Sequence, residues 1–197
     1  MKKNKPKYKQ IIEAAVIVIA QHGYHQAQVS KIAKQAGVAD GTIYLYFKNK
    51  EDILISVFQE KMGEIVEKIE GELQGKKSAS QKLAVLVDKH FEILSSDSNL
   101  AIVTQLELRQ SSKDLRLKIN AVLKRYLVVV DSILQEGIES GEFKEDLNYK
   151  LARQMIFGTL DEVVTTWVMN EQKYDLRSLS RQVHTLFIAG LSQGKSE

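Results

Sequence analysis

The single proline of this chain is Pro6, so no residue from Lys7 to Glu197 breaks a helical hydrogen-bond ladder as proline does. Apolar residues recur three and four apart almost throughout, and the period-two alternation of a half-buried strand is nearly absent. The expected fold class is therefore all-α, with about nine helices. With 44% hydrophobic and 27% charged residues, the 197-residue chain can form a real core. That length suits one large domain, or a small one followed by a medium one.

Spacing and capping residues predict where the helices lie. The first runs from about Tyr8 to His22, burying Ile11, Ile12, Ala15, Val16, Ile19 and Ala20, and Gly23 closes it. Asn49 caps the fourth, with Glu51 and Asp52 in its first turn, where negative charge is favourable. Its periodic face continues from Ile53 to Leu73, a span of roughly 35 Å at ~1.5 Å per residue. Gly75 to Ser80 is the first clear break, and the fifth helix begins near Ser80. Ser95 to Asn99 reads as a loop with Asn99 as the next cap. The sixth helix covers Leu100 to Gln110, the seventh Asp114 to Ser140 and the eighth Asn148 to Asn170. Asp175 caps a last helix from Leu176 to Leu191, and the tail from Gly194 to Glu197 reads as frayed.

The most informative stretch is Tyr24 to Lys50. Val29, Ile32, Ala33 and Ala36 lie on one helix face, and Gly37 follows as a residue able to take positive φ past a helix end. Val38 reads as a buried turn residue. Ile43, Tyr44 and Phe47 then mark the inward face of a second short helix. Two short helices joined by a Gly-containing turn form either a helix-turn-helix or a hairpin within an ordinary bundle. The outward residues favour the first reading. Gln28, Lys31, Thr42, Tyr46, Lys48 and Lys50 are basic, hydroxyl-bearing or amide-bearing, which suits phosphate oxygens and base edges.

The run Ile32-Ala33, Ala36-Gly37-Val38, Gly41, Ile43-Tyr44, Tyr46-Phe47, Lys50 resembles the DNA-binding signature of TetR-type transcriptional repressors. The resemblance covers about the first quarter of the chain. It implies a DNA reader at residues 1–52 joined to an effector-binding and dimerisation domain at residues 53–197. The DNA-contacting set it implies is Gln28, Lys31, Ala39, Asp40, Gly41, Thr42, Tyr44, Tyr46, Lys48 and Lys50, with Lys50 on a phosphate. Two departures concern helix caps. Ala27 and Gln28 stand where the family often has Thr or Ser, and Ala39 stands where Ser often caps the second motif helix; Asp40 is the substitute cap.

Charge agrees with a polyanionic partner. Residues 1–61 hold ten lysines against five acidic residues, a balance of +5, while the whole chain carries +3. The basic arm from Lys2 to Lys9 is suited to phosphates or the minor groove, and equally to being a solvated tail. There is no cysteine, which excludes disulfides, thiolate zinc sites and cysteine catalysis and is compatible with a reducing cytoplasm. No apolar run could span a bilayer, and no signal-peptide centre is evident. His22, His25, His90 and His184 show no metal-site spacing, and no phosphate loop or nucleophile elbow occurs. The expectation is a non-enzyme without a cofactor, located in the cytoplasm at the nucleoid. A non-DNA-binding interaction protein is the alternative class.

In the C-terminal part, the sixth helix aligns Ile102, Gln105, Leu106 and Arg109. The seventh carries Leu123, Leu127 and Val130, and the eighth Arg153, Phe157, Leu160 and Val164. This pattern fits an apolar channel with a cationic mouth, suited to a ligand with a greasy tail and an anionic head. It fits equally a packed core with surface arginines. Residues 100–111 (LAIVTQLELRQS) and 151–176 (LARQMIFGTLDEVVTTWVMNEQKYDL) also resemble the acyl-CoA-responsive repressors of fatty-acid degradation within the same family in bacilli. That resemblance implies a long-chain acyl-CoA as effector and β-oxidation genes as targets; a regulator of another hydrophobic, drug-like ligand is the alternative. Trp167, Leu179, Val183, Leu186, Phe187 and Gly190 are the candidate dimer surface, serving a homodimer on a palindromic double-stranded operator.

Overall fold

The computed structural model describes residues 6–192. Nine α-helices are present among them: α1 Pro6–Gln26, α2 Val29–Gln35, α3 Asp40–Ile43, α4 Lys50–Leu73, α5 Ala79–Ser96, α6 Ser98–Leu106, α7 Lys113–Glu139, α8 Tyr149–Met169 and α9 Ser180–Leu191. A 3-10 turn, Leu176–Leu179, precedes α9. The all-α expectation holds: the described residues contain no strand beyond one isolated bridge between Phe143 and Ser192. Lys2, Lys3 and Lys5 of the basic arm, and the tail from Gly194, lie outside the described residues.

The chain divides into two compact units, and α4 and α7 supply residues to both. The first unit contains residues up to Gly63 together with Asp97–Val122. Its core joins Ile11, Ile12, Ala15 and Ile19 of α1 to Ile32, Ala33, Ile43, Phe47, Leu54 and Phe58, with Ala101 and Val103 from α6. Tyr8 stacks on Phe47 with ring centroids 5.2 Å apart, and its hydroxyl reaches Glu60 at 3.3 Å. Ala20 is only half-buried. Gly23 does not close α1. It takes φ 70° and ψ 154°, bending the helix, which resumes as far as Gln26. Gly37 takes φ 63° after α2, a conformation costly for a residue with a Cβ.

The second unit contains Glu64–Ser96 and the chain from Leu123 onward. Leu83, Leu86, Val87 and Phe91 of α5 pack in a core that includes Tyr126, Val130, Ile133, Ile156, Leu160, Val164, Trp167 and Phe187. The start of α5 is capped from far away in sequence. Both Glu142 carboxylate oxygens accept at 3.0 Å, one from the Ala79 N–H and the other from the Ser80 N–H. Arg177 forks onto Asp88 at 2.9 and 3.0 Å.

Several expected boundaries shift. Asp97, not Asn99, caps α6, accepting from the Leu100 N–H at 2.9 Å, so the loop after α5 shrinks. α6 stops at Leu106 rather than Gln110. Thr104 turns its hydroxyl back to the Leu100 and Ala101 carbonyls, and Arg116 holds the carbonyls of Gln110 and Ser111 at 2.9 and 3.3 Å. The segment after Leu106 is irregular rather than helical, with its Gln110 and Ser111 carbonyls held by that side chain. Asp175 caps the 3-10 turn, accepting from the Arg177 N–H at 3.0 Å, as expected of the last helical segment. Asn49 caps α4, accepting from the Asp52 N–H at 2.8 Å, and Asp52 reciprocates on the Lys48 N–H at 2.9 Å.

Candidate DNA interface and effector site

α2 and α3 are too short to be stable alone. They are held by Ile32, Ala33, Ala36, Ile43 and Phe47, all buried in the first unit. Around this anchor the motif's polar residues face outward. Gln28, Lys31, Ala39, Asp40, Gly41 and Lys48 are exposed, and Thr42 is half-buried. Gln28 and Ala39 occupy the N-cap positions of α2 and α3 without side-chain capping bonds. Asp40 is therefore not the substitute cap; it is the first residue of α3, where its charge favours the helix dipole. Val38 is half-buried rather than buried.

The inward set also needs correction. Tyr44 is 58% exposed, and the neighbouring Leu45 is exposed as well. The helix lasts only four residues, so the three-and-four spacing that would turn Tyr44 inward on a longer helix does not persist. Tyr44 is thereby free to meet a ligand. Leu45 was not recognised from the sequence, because a leucine beside a buried Ile43 and Phe47 reads as core. Tyr46 is half-buried, its ring centroid 6.4 Å from that of Tyr8.

Lys50 is half-buried. Its ammonium donates to the His25 carbonyl at 2.8 Å and lies 4.8 Å from the Tyr24 ring centroid. Burial pushes the Lys50 ammonium down from its ordinary pKa, and the Glu107 carboxylate partly offsets this. That carboxylate also accepts from the Tyr24 N–H at 2.8 Å and from the Gln110 side-chain amide at 2.6 Å. Glu107 is thus a second residue that the sequence did not mark. It caps the turn that resumes after the Gly23 bend, which leads directly into α2.

The candidate effector residues divide between the units. In the first unit, Gln105 is buried, Ile102 is half-buried and Leu106 is 49% exposed. Arg109 is exposed and lies beyond the end of α6, so it does not share the helical stripe with Ile102 and Leu106. In the second unit, Leu123, Val130, Leu160 and Val164 are buried, and Leu127 and Phe157 are half-buried. Arg153 donates to Asp131 at 2.7 Å, so its charge is already compensated. An open cleft of about 520 Å³ is lined by Asp131, Gln135, Ile138, Glu139 and Tyr149. Asp131 is paired there with Arg153, and the remaining carboxylate, Glu139, disfavours an anionic head group.

A polar cluster on α5, α7 and α8 was not foreseen. His90 Nδ1 lies 3.1 Å from the Tyr126 hydroxyl, and Tyr126 meets Phe157 edge to face with centroids 5.9 Å apart. Burial pushes the His90 pKa down to about 4 and raises that of Tyr126. A lone histidine in an apolar helix gives no sequence signal of this kind.

The candidate dimer surface splits as well. Trp167 is only 4% exposed and donates its indole N–H to the Tyr174 carbonyl at 2.8 Å. Trp167, Val183 and Phe187 belong to the core of their own unit, and their apolar character is consumed there. Leu179 is half-buried, Gly190 is exposed and Leu186 is 70% exposed. Leu151, Met155 and Met169 of α8 are also exposed, an outward apolar series.

The anchored helix-turn-helix, with its outward polar side chains, defines the class as a DNA-binding regulator. Residues 11–57 match the model of the family described as "Bacterial regulatory proteins, tetR family", and residues 58–190 match that described as "YsiA-like protein, C-terminal region". The chain belongs to the TetR family of transcriptional regulators. It is 66% identical over 191 residues to the fatty acid metabolism regulator protein of Bacillus subtilis (strain 168), covering 97% of this chain and 98% of that one. The crystal structure of the transcriptional regulator FadR from Bacillus subtilis in complex with stearoyl-CoA is 67% identical with a TM-score of 0.91, covering 93% of this chain and 98% of that one. The fatty acid degradation regulator FadR from Bacillus halodurans is 64% identical with the same TM-score, covering 93% and 99%. None of the described helices is long and apolar enough to cross a membrane.

Proposed function

We propose that this protein is a homodimeric repressor of fatty-acid degradation genes, released from a palindromic operator by long-chain acyl-CoA. The observation that carries the reading is the likeness, at 67% identity, to a regulator crystallised with stearoyl-CoA. The buried aliphatic residues of α7 and α8 supply the apolar environment such a ligand needs. On this reading residues 1–52 read DNA through Gln28, Lys31, Ala39 to Thr42, Tyr44, Tyr46, Lys48 and Lys50, and residues 53–197 hold the effector and the dimer contacts. Leu186, Gly190 and Leu179, with the outward residues of α8, are the dimer surface. The protein acts in the cytoplasm and is a regulator rather than an enzyme.

Each buried CH₂ contributes about 0.8 kcal/mol, so longer acyl chains bind more tightly until the site is full. Linkage then requires operator and ligand to weaken each other by the same factor. Native mass spectrometry of the protein as purified, followed by operator release with C4 to C18 acyl-CoA, tests this. Release that strengthens with chain length is expected. Equal release by short and long chains, or release by a drug-like compound alone, would overturn it in favour of another hydrophobic ligand.

A further inference from the structure

His90 lies on α5 among apolar neighbours and is 7% exposed. One ring nitrogen, Nδ1, faces the Tyr126 hydroxyl at 3.1 Å, and the other, Nε2, is buried with no hydrogen-bond partner. Two arrangements of the protons satisfy the 3.1 Å contact. If Nδ1–H donates to the phenol oxygen, the phenol hydrogen and the Nε2 lone pair are both left unmet. If the phenol donates to Nδ1, the ring carries its one proton on Nε2 and leaves a single group unmet. The second arrangement is favoured, and it makes Nε2–H a buried donor without an acceptor. The ring stays neutral at physiological pH, since burial pushes its pKa down to about 4. A buried donor without an acceptor is costly, so a group that meets it gains binding free energy.

No acceptor among the described residues meets this donor. Phe157 packs its ring against Tyr126, and Leu160 and Val164 follow it on α8, buried in the same unit. An acyl chain consists of CH₂ groups that accept nothing. The one strong acceptor joined directly to that chain in an acyl-CoA is the thioester carbonyl oxygen. We propose that His90 donates its Nε2 hydrogen to the thioester carbonyl oxygen of the bound effector, with Tyr126 fixing the tautomer that makes this possible. This rests on the acyl-CoA reading above and deepens it. His90 becomes the residue that distinguishes an acyl thioester from a hydrocarbon of the same length, and Tyr126 acts through it as a positioning residue.

The test compares stearoyl-CoA with S-octadecyl-CoA, a thioether that keeps the chain and the nucleotide but lacks the carbonyl. Calorimetric titration of both ligands into the full dimer gives the ratio of their affinities. The wild type is expected to favour the thioester by roughly five- to tenfold, the range of one neutral hydrogen bond. In His90→Phe the ratio falls to one or below, while thioether affinity is kept. In His90→Gln, which retains an amide donor, part of the preference returns. Tyr126→Phe removes one oxygen atom, serves if His90→Phe fails to fold, and also lowers the ratio. An unchanged ratio in the variants, or no preference in the wild type, overturns the assignment of His90. Failure of the wild type to bind either ligand removes the acyl-CoA reading itself, so the two failures are distinguishable.

Discussion

Replacing Glu107 with alanine should loosen the entry to the DNA-reading helices without touching them. Gly23 takes ψ 154°, which swings the Tyr24 N–H out of the α1 ladder. Its partner is instead the Glu107 carboxylate at 2.8 Å, contributed 83 residues later by the segment after α6. A hydrogen bond to a charged group contributes roughly 1.5–3 kcal/mol, and the half-exposed site argues for the lower end. About 1.4 kcal/mol is a factor of ten, so the Tyr24 amide should exchange with solvent about tenfold faster in Glu107→Ala. For a chain of this size, ~1.5 kcal/mol lowers Tm by roughly 3–6 °C. Operator affinity should fall by up to about tenfold, since Lys50 and its His25 contact sit on the same turn. Glu107→Gln keeps an acceptor without the charge and should lie between. Amide exchange followed by NMR reads the effect at the residue concerned, and fluorescence anisotropy reads the operator. Tyr24 protection identical in wild type and Glu107→Ala would refute the capping role, whatever happens to DNA affinity.

Other perturbations have equally local readouts. A Cβ on Gly137 would lie 2.1 Å from the ring of buried Phe143, so Gly137→Ala overpacks the core by about 1–3 kcal/mol and lowers Tm; calorimetry showing an unchanged Tm would contradict the packing. Leu186→Glu should yield monomers of normal stability that bind operator weakly, whereas Trp167→Ala should unfold more readily by about 3–5 kcal/mol; light scattering and denaturant melts separate the two. His90 has a folded pKa of about 4 against an ordinary 6.5. The unfolded chain therefore binds the extra proton between those values, and stability is lost as pH falls from 6.5 toward 4. His90→Phe should flatten that part of the Tm–pH curve, and a slope equal to wild type would show that His90 does not titrate as buried.

Much of the fold was legible because its signals are local. The 3.6-residue period places α4, α5, α7 and α8 to within a residue or two, and Asn49, Asn148 and Asp175 mark their helical segments by contacts spanning two or three residues. The helix-turn-helix was legible for the same reason, since its turn and its buried set lie within a few residues of one another. The all-α class follows from composition and the position of one proline.

The rest depended on groups distant in sequence. Glu142 caps α5 across 63 residues and Glu107 caps the bend in α1 across 83, and neither pairing leaves a trace in periodicity. The end of α6 was misplaced because the residue after it, Glu107, is engaged far away in sequence, on the Tyr24 N–H. Periodicity says that a residue is apolar on a given face, but not what covers that face. Trp167 and Phe187 are covered by their own unit and Leu186 is not, and only the packing of α8 and α9 against their neighbours decides between them. His90 is the same case for a polar group. In the sequence it is one histidine among four, and its neutral ring with an unmet donor exists only because α5, α7 and α8 enclose it.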